Sequence, residues 1–345
     1  MSVPSDSAGT ARPHRSRGAS DAGSVRGSWW APLVVPLLLG VLCAIVVIAR
    51  VTGIPQVTPI TQFLAFYPWI GMGFFAGALV AIFTRRWVAV ATATACAGII
   101  FATSWPAGAA PVDARSGAVI RVVASNVYVG GATQGLADEL LSDPVPADIV
   151  LIAECTQACA EILGKPQLLS LFPFRHIDAQ PGARGAAILS RTPLTDLSPL
   201  ARPVVRDGAL AMPSARTRLH GQEVAIKVAH PFPPIPLELS QWRSGLDELA
   251  AFAEQTSGPL IMGGDFNATA YHAPFRSILA QDLSASLPAT VGTWPTGLPE
   301  LLASPIDNIL FRAPFQLVSS GTWQIDGSDH RTVWVDFDAG NVAYR

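Results

Sequence analysis

Pro259-Leu260-Ile261-Met262-Gly263-Gly264-Asp265-Phe266-Asn267 joins a short apolar run to two glycines and two polar side chains. Leu260 to Met262 has the length and character of a buried strand. Gly263 and Gly264 allow a sharp turn and a close backbone approach where that strand ends. In extended chain, residues i and i+2 share a face, so Asp265 and Asn267 can look into one pocket together. An anionic acceptor beside a neutral donor suits a reaction that activates a water and holds an oxyanion. The competing reading is an Asp/Asn turn closing an ordinary strand. The flanking segments separate the two.

On both sides, apolar strands end on polar residues. Val119 to Asn126 is rich in β-branched residues and stops on Asn126; a helical pattern with Leu136, Leu140 and Leu141 follows, up to Asp143-Pro144. Asp148 to Glu154 is a buried strand ending on Glu154, and Ala186 to Ser190 is another. Arg216 to His220 and Glu223 to His230 read as a hairpin about Gly221 whose second arm finishes on His230. Ser240 is positioned to cap a helix with Trp242, Leu246, Leu249 and Ala253 on one face. A short helix around Phe275 to Leu279, strands at Ile306–Phe311 and Phe315–Trp323, and an alternating strand at Thr332–Phe337 complete the pattern.

The polar ends, in order, are Asn126, Glu154, His230, Asp265 with Asn267, Asp307, and Asp329 with His330. One Glu and one Asn suffice for Mg²⁺, which keeps most of its waters and binds through one or two carboxylates. Histidine and aspartate in the same pocket add proton transfer and orientation, and the set fits metal-assisted hydrolysis of a phosphate ester. Taken alone, Asn126 reads as a turn residue, Asp307 as a turn cap, and Trp294 as core or pocket wall. His176 and His220 read as surface histidines.

Half of the 345 residues are hydrophobic, and the excess sits at the front. Trp29–Ile48, Pro59–Phe83 and Trp87–Phe101 carry no charge and read as three transmembrane helices. The expected organisation is a disordered cytoplasmic tail (1–28), a membrane module (29–105), a Pro/Gly/Ala-rich linker (106–117) and a catalytic domain (118–345). Arg12, Arg15, Arg17, Arg26, Arg85 and Arg86 outweigh Arg50, so the positive-inside rule puts the N-terminus in the cytoplasm. A multi-pass protein of the cell membrane with an extracytoplasmic catalytic domain follows. If the short Ala/Thr-rich third run does not cross, that domain is cytoplasmic instead.

From Pro111 onward, 16 Lys and Arg stand against 23 Asp and Glu, a formal charge of −7. That is not the footprint of a protein holding nucleic acid by its phosphates, and no protein partner is evident. Cys43 and Cys96 lie in apolar runs, leaving Cys155 and Cys159. Outside the cytoplasm these two, four residues apart, are within bridging reach if the segment is helical. Two packed free thiols are the alternative.

Over roughly residues 118–338 these motifs resemble the endonuclease/exonuclease/phosphatase superfamily, similar in fold to DNase I. Asn126 in Ala-Ser-Asn and Glu154 in Leu-Ile-Ala-Glu resemble its metal-site residues. Gly185 to Pro193 resembles its Gly-x-x-x-Leu-Ser-Arg-x-Pro segment, and His230 in Ala-His-Pro its phosphate-contacting histidine. Gly264-Asp265-Phe266-Asn267 is the most specific signature, implying an acid/base or water-orienting role for Asp265 and a phosphate contact for Asn267. Asp307 in Ile-Asp-Asn-Ile resembles the acid preceding the closing motif Ser328-Asp329-His330. There the resemblance has Asp329 orienting His330 or touching the metal, and His330 at the phosphate or its nucleophile.

The resemblance implies an α/β fold, a four-layer sandwich of two mixed β-sheets flanked by helices. It also implies a Mg²⁺-dependent phosphoesterase, with Mn²⁺ as a substitute. The layout is similar to membrane-anchored members associated with teicoplanin resistance, which implies a lipid-linked envelope phosphate as substrate. An extracellular nuclease and a non-catalytic scaffold keeping the fold are the alternatives. The Gly-Asp-x-His and Gly-Asn-His-Glu/Asp elements of calcineurin-like phosphoesterases are absent.

Overall fold

A computed structural model describes residues 31–54, 57–104, 109–113, 119–197 and 210–338; the tail expected over 1–28 lies outside them. The described chain opens with α1 (Ala31–Thr52), α2 (Ile60–Leu64), α3 (Tyr67–Phe83) and α4 (Trp87–Thr103). Then come β1 (Val119–Asn126), α5 (Thr133–Ser142), β2 (Ile149–Ala153), α6 (Gln157–Leu163), α7 (Pro166–Leu171), β3 (Phe174–Asp178), β4 (Ala186–Ser190) and β5 (Thr195–Asp196). The hairpin of β6 (Ser214–Leu219) and β7 (Gln222–Ala229) leads to α8 (Leu239–Gln255), β8 (Leu260–Asp265) and α9 (Ala273–Leu279). The described chain closes with β9 (Ser284–Ala285), β10 (Asp307–Phe311), β11 (Gln316–Trp323) and β12 (Thr332–Asp338).

The strands form two six-stranded sheets, ordered β11-β12-β1-β2-β4-β3 and β5-β6-β7-β8-β10-β9. Each is mixed: β1·β2 and β7·β8 are parallel, their other pairings antiparallel. The period-2 alternation of the strands sorts side chains into layers. Ile120, Val122, Leu151, Ile226, Val228, Ile261, Ile309 and Val335 pack between the sheets. Val123, Val150 and Ile152 point the other way, onto Leu136, Leu140 and Leu163 of α5 and α6. On the far side, Leu260, Met262 and Leu310 bury Trp242, Leu246 and Leu249 of α8 with Phe275 and Ile278 of α9. Helix, sheet, sheet and helix make the sandwich that the ordered motifs imply. Truncating a fully buried residue such as Leu151 to Ala would cost about 2–5 kcal/mol.

The two glycines of the opening motif act differently. A Cβ on Gly263 would meet Leu151 Cδ1 at 2.8 Å, Ile309 Cγ1 at 3.1 Å and Ala124 Cβ at 3.2 Å, so the facing sheet and the neighbouring strand leave no room for a side chain there. Gly264 has φ +142°, and a Cβ on it would lie 2.2 Å from the Ala229 carbonyl oxygen. Both geometry and space demand glycine at 264.

Three local expectations change. Pro59–Phe83 is not one helix: it breaks at Ala65 and Phe66 into α2 and α3. Among the described helices α1 is long and apolar enough to cross a membrane, whereas α3 and α4 have 17 residues each. Ser240 is not a cap; α8 starts at Leu239 without a side-chain cap, and Ser240 Oγ donates to Gln241 Oε1. Finally, the described part of the linker is pinned: Ala109 N–H donates to the Ala285 carbonyl and Val112 N–H to that of Leu317.

The opening helices pack together around Cys43, Val46, Phe74 and Ile100 and leave Leu37, Leu38, Val80 and Ile99 exposed. The segment after β8 docks on one end of this bundle. Tyr271 Oη donates to the Ser104 carbonyl beyond α4, and its ring lies 5.5 Å from that of Tyr67 at the start of α3. Arg276 donates to the Arg50 carbonyl near the end of α1. Buried His272 accepts the Thr269 N–H on Nδ1, so its Nε2 carries the proton facing the Thr61 carbonyl of α2 at 2.9 Å.

Candidate active site

The site lies at the ends of strands from both sheets. Asn126 closes β1 and Glu154 follows β2, while His230 follows β7, Asp265 closes β8 and Asp307 opens β10. Asp265 and Asp307 are direct cross-strand partners, a repulsive arrangement for two carboxylates unless a cation lies between them. His330 fills that position. Its Nδ1 is 2.9 Å from Asp307 Oδ2 and its Nε2 is 3.8 Å from Asp265 Oδ2.

Local turns aim these groups. Asp265 Oδ1 accepts the Asn267 N–H at 2.7 Å, and Ser328 Oγ accepts the His330 N–H at 3.0 Å. Both are side-chain turns closed two residues on. Ser328 Oγ in turn donates to the Asn126 carbonyl, tying the closing motif to β1. Asn126 Nδ2 donates to Glu154 Oε1 at 3.0 Å and lies 3.3 Å from Asp265 Oδ2, while its Oδ1 accepts the Tyr128 N–H. Glu154 Oε2 accepts the Val129 N–H at 2.7 Å. Tyr128, Val129 and Glu154 all have positive φ (45°, 52° and 63°). A β-branched residue rarely adopts that conformation, and here the strained loop brings an amide onto the Glu154 carboxylate. His230 Nε2 is 3.7 Å from Glu154 Oε1.

All eight residues picked from the sequence therefore meet in one cluster, though two of them meet unexpected partners. It is Asp307, not Asp329, that hydrogen-bonds His330; Asp329 Oδ1 stands 3.9 Å from His330 Nε2. Asn267 Nδ2 donates to the Pro231 carbonyl, which steadies the segment after His230. Trp294, read from the sequence as core or pocket wall, donates its Nε1–H to Asp329 Oδ2 at 3.0 Å, and its ring is 6.4 Å from that of His330. Trp242, read as part of the apolar face of a helix, donates its Nε1–H to the Asn267 carbonyl. Nothing in the sequence marks these two hydrogen bonds or the turn that Ser328 closes.

Burial sets the proton inventory. Asp265 is pushed up to about 7 by burial, with Asp307 and Glu154 adding to the rise against the pull of His330. Burial alone would lower His330, yet Asp307, Asp265 and Asp329 outweigh it and hold the imidazolium up to about 10. Burial lowers His230 to about 4, so it stays neutral. Its Nδ1 and Asp329 Oδ1 are buried without a hydrogen-bond partner, and buried polar atoms of that kind call for a ligand or water.

The donor set fits a hard divalent cation. Glu154 offers a carboxylate and Asp329 its unpartnered Oδ1. Asp265, Asp307 and His330 also present atoms within 4.8 Å of one another. However, an imidazolium has no lone pair for a metal, so the acidic side around Glu154 is the better cradle.

A family model described as "Endonuclease/Exonuclease/phosphatase family" matches residues 123–330. No curated protein sequence matches the chain. Among solved structures, D. rerio TDP2 complexed with a single-strand DNA product is 16% identical, covers 64% of this chain and 99% of its own, and has a TM-score of 0.51. A variant of the 3' phosphatase NExo from Neisseria, bound to a product DNA hairpin, is 17% identical over 64% and 99% of the two chains, with a TM-score of 0.47. Sphingomyelinase C from Streptomyces griseocarneus is 14% identical over 64% and 99%, with a TM-score of 0.45. At such identities the likeness to TDP2 concerns the fold. Because the family model spans more than half of the sequence, the chain belongs to the endonuclease/exonuclease/phosphatase family, metal-dependent hydrolases acting on phosphoric ester bonds.

Proposed function

We propose that the protein is a membrane-anchored phosphoesterase working at the outer face of the cell membrane on a lipid-linked or envelope phosphate ester. The observation that carries the hydrolytic part is the imidazolium of His330 held between Asp307 and Asp265, beside Glu154. Asp265, raised towards neutrality, accepts a proton from the attacking water and orients it for in-line displacement. The fixed positive charge of His330 faces the phosphoryl oxygens as negative charge builds on them. Neutral His230, its Nδ1 unpartnered, is suited to hydrogen-bond the phosphate. Glu154 and its neighbours would hold a divalent cation, Mg²⁺ or Mn²⁺, which would supply further positive charge against the developing negative charge. For Asn126 to join as a ligand, its amide would have to turn, since its nitrogen now faces the carboxylates.

Three observations support the membrane reading. The contacts of Tyr271, His272 and Arg276 fall at the end of α1, on α2, at the start of α3 and beyond α4, all one face of the bundle. Arg85 and Arg86 occupy the turn at the opposite end, in keeping with the positive-inside rule if α1, α3 and α4 all cross. Cys155 and Cys159 are joined in a disulfide, with Cα atoms 5.3 Å apart, the state favoured outside the cytoplasm. Cys155 precedes α6, so the bridge does not depend on a continuous helix.

The test is a Mg²⁺ titration of the full-length protein with three substrates: a generic phosphodiester, a phosphomonoester and a polyprenyl pyrophosphate. Metal-dependent turnover with preference for the lipid-linked ester is expected. A preference for DNA or RNA would replace the lipid reading by a nuclease, and no turnover on any phosphate ester would overturn both.

A further inference from the structure

Two loops leave the active site and run to α2. The first follows His230: the Pro231 carbonyl accepts Asn267 Nδ2, and the Pro234 carbonyl accepts Gln62 Nε2 of α2. The second carries Trp294, the partner of Asp329, and its Ser304 Oγ donates to the Ala65 carbonyl at the end of α2. Arg331 holds this loop from beneath through the Leu298 carbonyl. Both loops expose large apolar side chains where a soluble enzyme shows polar ones: Ile235 and Leu237 (90% exposed) on the first, Leu298, Leu301 and Leu302 on the second. Phe63, on α2 between the two attachment points, is exposed as well.

The composition of these loops is as telling as their exposure. Pro231-Phe232-Pro233-Pro234-Ile235-Pro236-Leu237 carries no charge; the second loop, Val291 to Ser304, carries one, Glu300, whose carboxylate accepts the Thr322 hydroxyl and lies 4.0 Å from Arg331. Proline has no N–H, so the first loop presents few backbone donors that would go unsatisfied in an apolar medium. Its fixed φ also means little conformational freedom is lost when it is immobilised. The patch is continuous with α2, which connects α1 to α3 on the face where the catalytic domain sits. Exposed apolar side chains on two loops that both hydrogen-bond α2 mark a candidate interaction surface.

We propose that Phe63, Ile235, Leu237, Leu298, Leu301 and Leu302 form an apolar rim seated in the outer leaflet of the membrane that α1 crosses. The active site then opens onto the headgroup layer and takes its phosphate ester from within the leaflet. This rests on the membrane-anchored reading above and adds to it the surface by which an amphiphilic substrate enters.

The full-length protein is reconstituted in phosphatidylcholine/phosphatidylglycerol vesicles with a nitroxide label at Leu237→Cys, at Leu301→Cys or, as a control, at Leu141→Cys. Leu141 is exposed near Asp143, at the end of the sandwich away from the site. Expected is faster relaxation by oxygen than by a water-soluble nickel complex at 237 and 301, with the order reversed at 141. Equal access of the nickel complex to 237, 301 and 141 overturns the proposal. A label shielded from both reagents marks a protein contact, a second copy of the chain included, and overturns it too.

A second measurement compares turnover of a vesicle-borne lipid phosphate with that of bis(p-nitrophenyl) phosphate in solution. In the double variant Leu237→Asp, Leu301→Asp the ratio should fall about tenfold, since interfacial binding scales with buried apolar area. An unchanged ratio overturns the rim. Lipid-exposed labels on a protein that hydrolyses neither ester leave the rim standing and refute the proposed function instead.

Discussion

Replacing Asp307 by Asn tests the geometry most directly, because the structure gives Asp307 a role that the sequence motifs assign to Asp329. The His330–Asp307 contact is 2.9 Å long, and the side chains are 9% and 2% exposed. A buried, charge-assisted hydrogen bond of this kind is worth about 1.5–3 kcal/mol. If that energy serves to hold the imidazolium against the developing phosphoryl charge, Asp307→Asn lowers kcat/KM by about 10- to 150-fold at 1.36 kcal/mol per decade.

The pH profile carries a second signature. Asp307 is the largest influence raising His330 to about 10, so its loss moves the alkaline limb of activity to lower pH. The stability term has the matching sign. A raised imidazolium contributes fully below the ordinary histidine value of 6.5 and is lost as pH rises through about 10. The stability gap between parent and variant is therefore widest below 6.5 and closes on the alkaline side. Asp329→Asn keeps an acceptor for Trp294 and removes a charge 3.9 Å from His330 together with one candidate metal oxygen, so the alkaline limb should stay near the parent's while more Mg²⁺ is needed for half-maximal rate. The assay is kcat/KM against pH for the parent and both variants, with circular dichroism to establish folding. Parent-like rates and limb in Asp307→Asn, together with a displaced limb in Asp329→Asn, would refute the reasoning.

Asp265→Asn should lose about a hundredfold or more in turnover, with no recovery on adding metal, since a proton acceptor is missing. Glu154→Gln should lose activity and regain part of it in excess Mg²⁺ or Mn²⁺; identical metal responses of the two variants would erase the distinction between base and ligand. Alkylation without reductant, read by mass spectrometry, should leave Cys155 and Cys159 unlabelled, and two labelled cysteines would reject the bridge seen beside Glu154. A reporter active only outside the cytoplasm, fused after Arg345, should be active; activity of a cytoplasmic reporter alone would show that the chain crosses the membrane an even number of times.

The strands and their polar ends were legible because each is a short β-branched or aliphatic run stopped by one polar residue, and the period-2 pattern carries both facts. Asn126, Glu154, His230, Asp265 and His330 are found that way. Partnerships across the cluster were not legible, because they depend on register. Asp307 faces Asp265 only through the antiparallel pairing of β8 and β10, which no local signal specifies. The hydrogen bonds of Trp294 and Trp242 escaped for a related reason: a tryptophan that packs and one whose N–H steadies a catalytic loop look the same in sequence. The break at Ala65 and Phe66 lies inside an apolar run, where hydropathy has no contrast to register it.

The missing side chain at Gly263 has a mechanical consequence. Asn126 and Glu154 ride on one sheet, His230, Asp265 and Asp307 on the other, so the working distance of the catalyst equals the thickness of the apolar filling between them. At 263 that filling has no slack, with Leu151, Ile309 and Ala124 already within 3.2 Å of where a methyl would go. A single added carbon there would act as a shim, spreading the jaws that grip the phosphate while touching none of the groups that react. If these groups are the catalytic ones, activity should track sheet spacing, and Gly263→Ala should lower the rate of a protein that circular dichroism still shows folded.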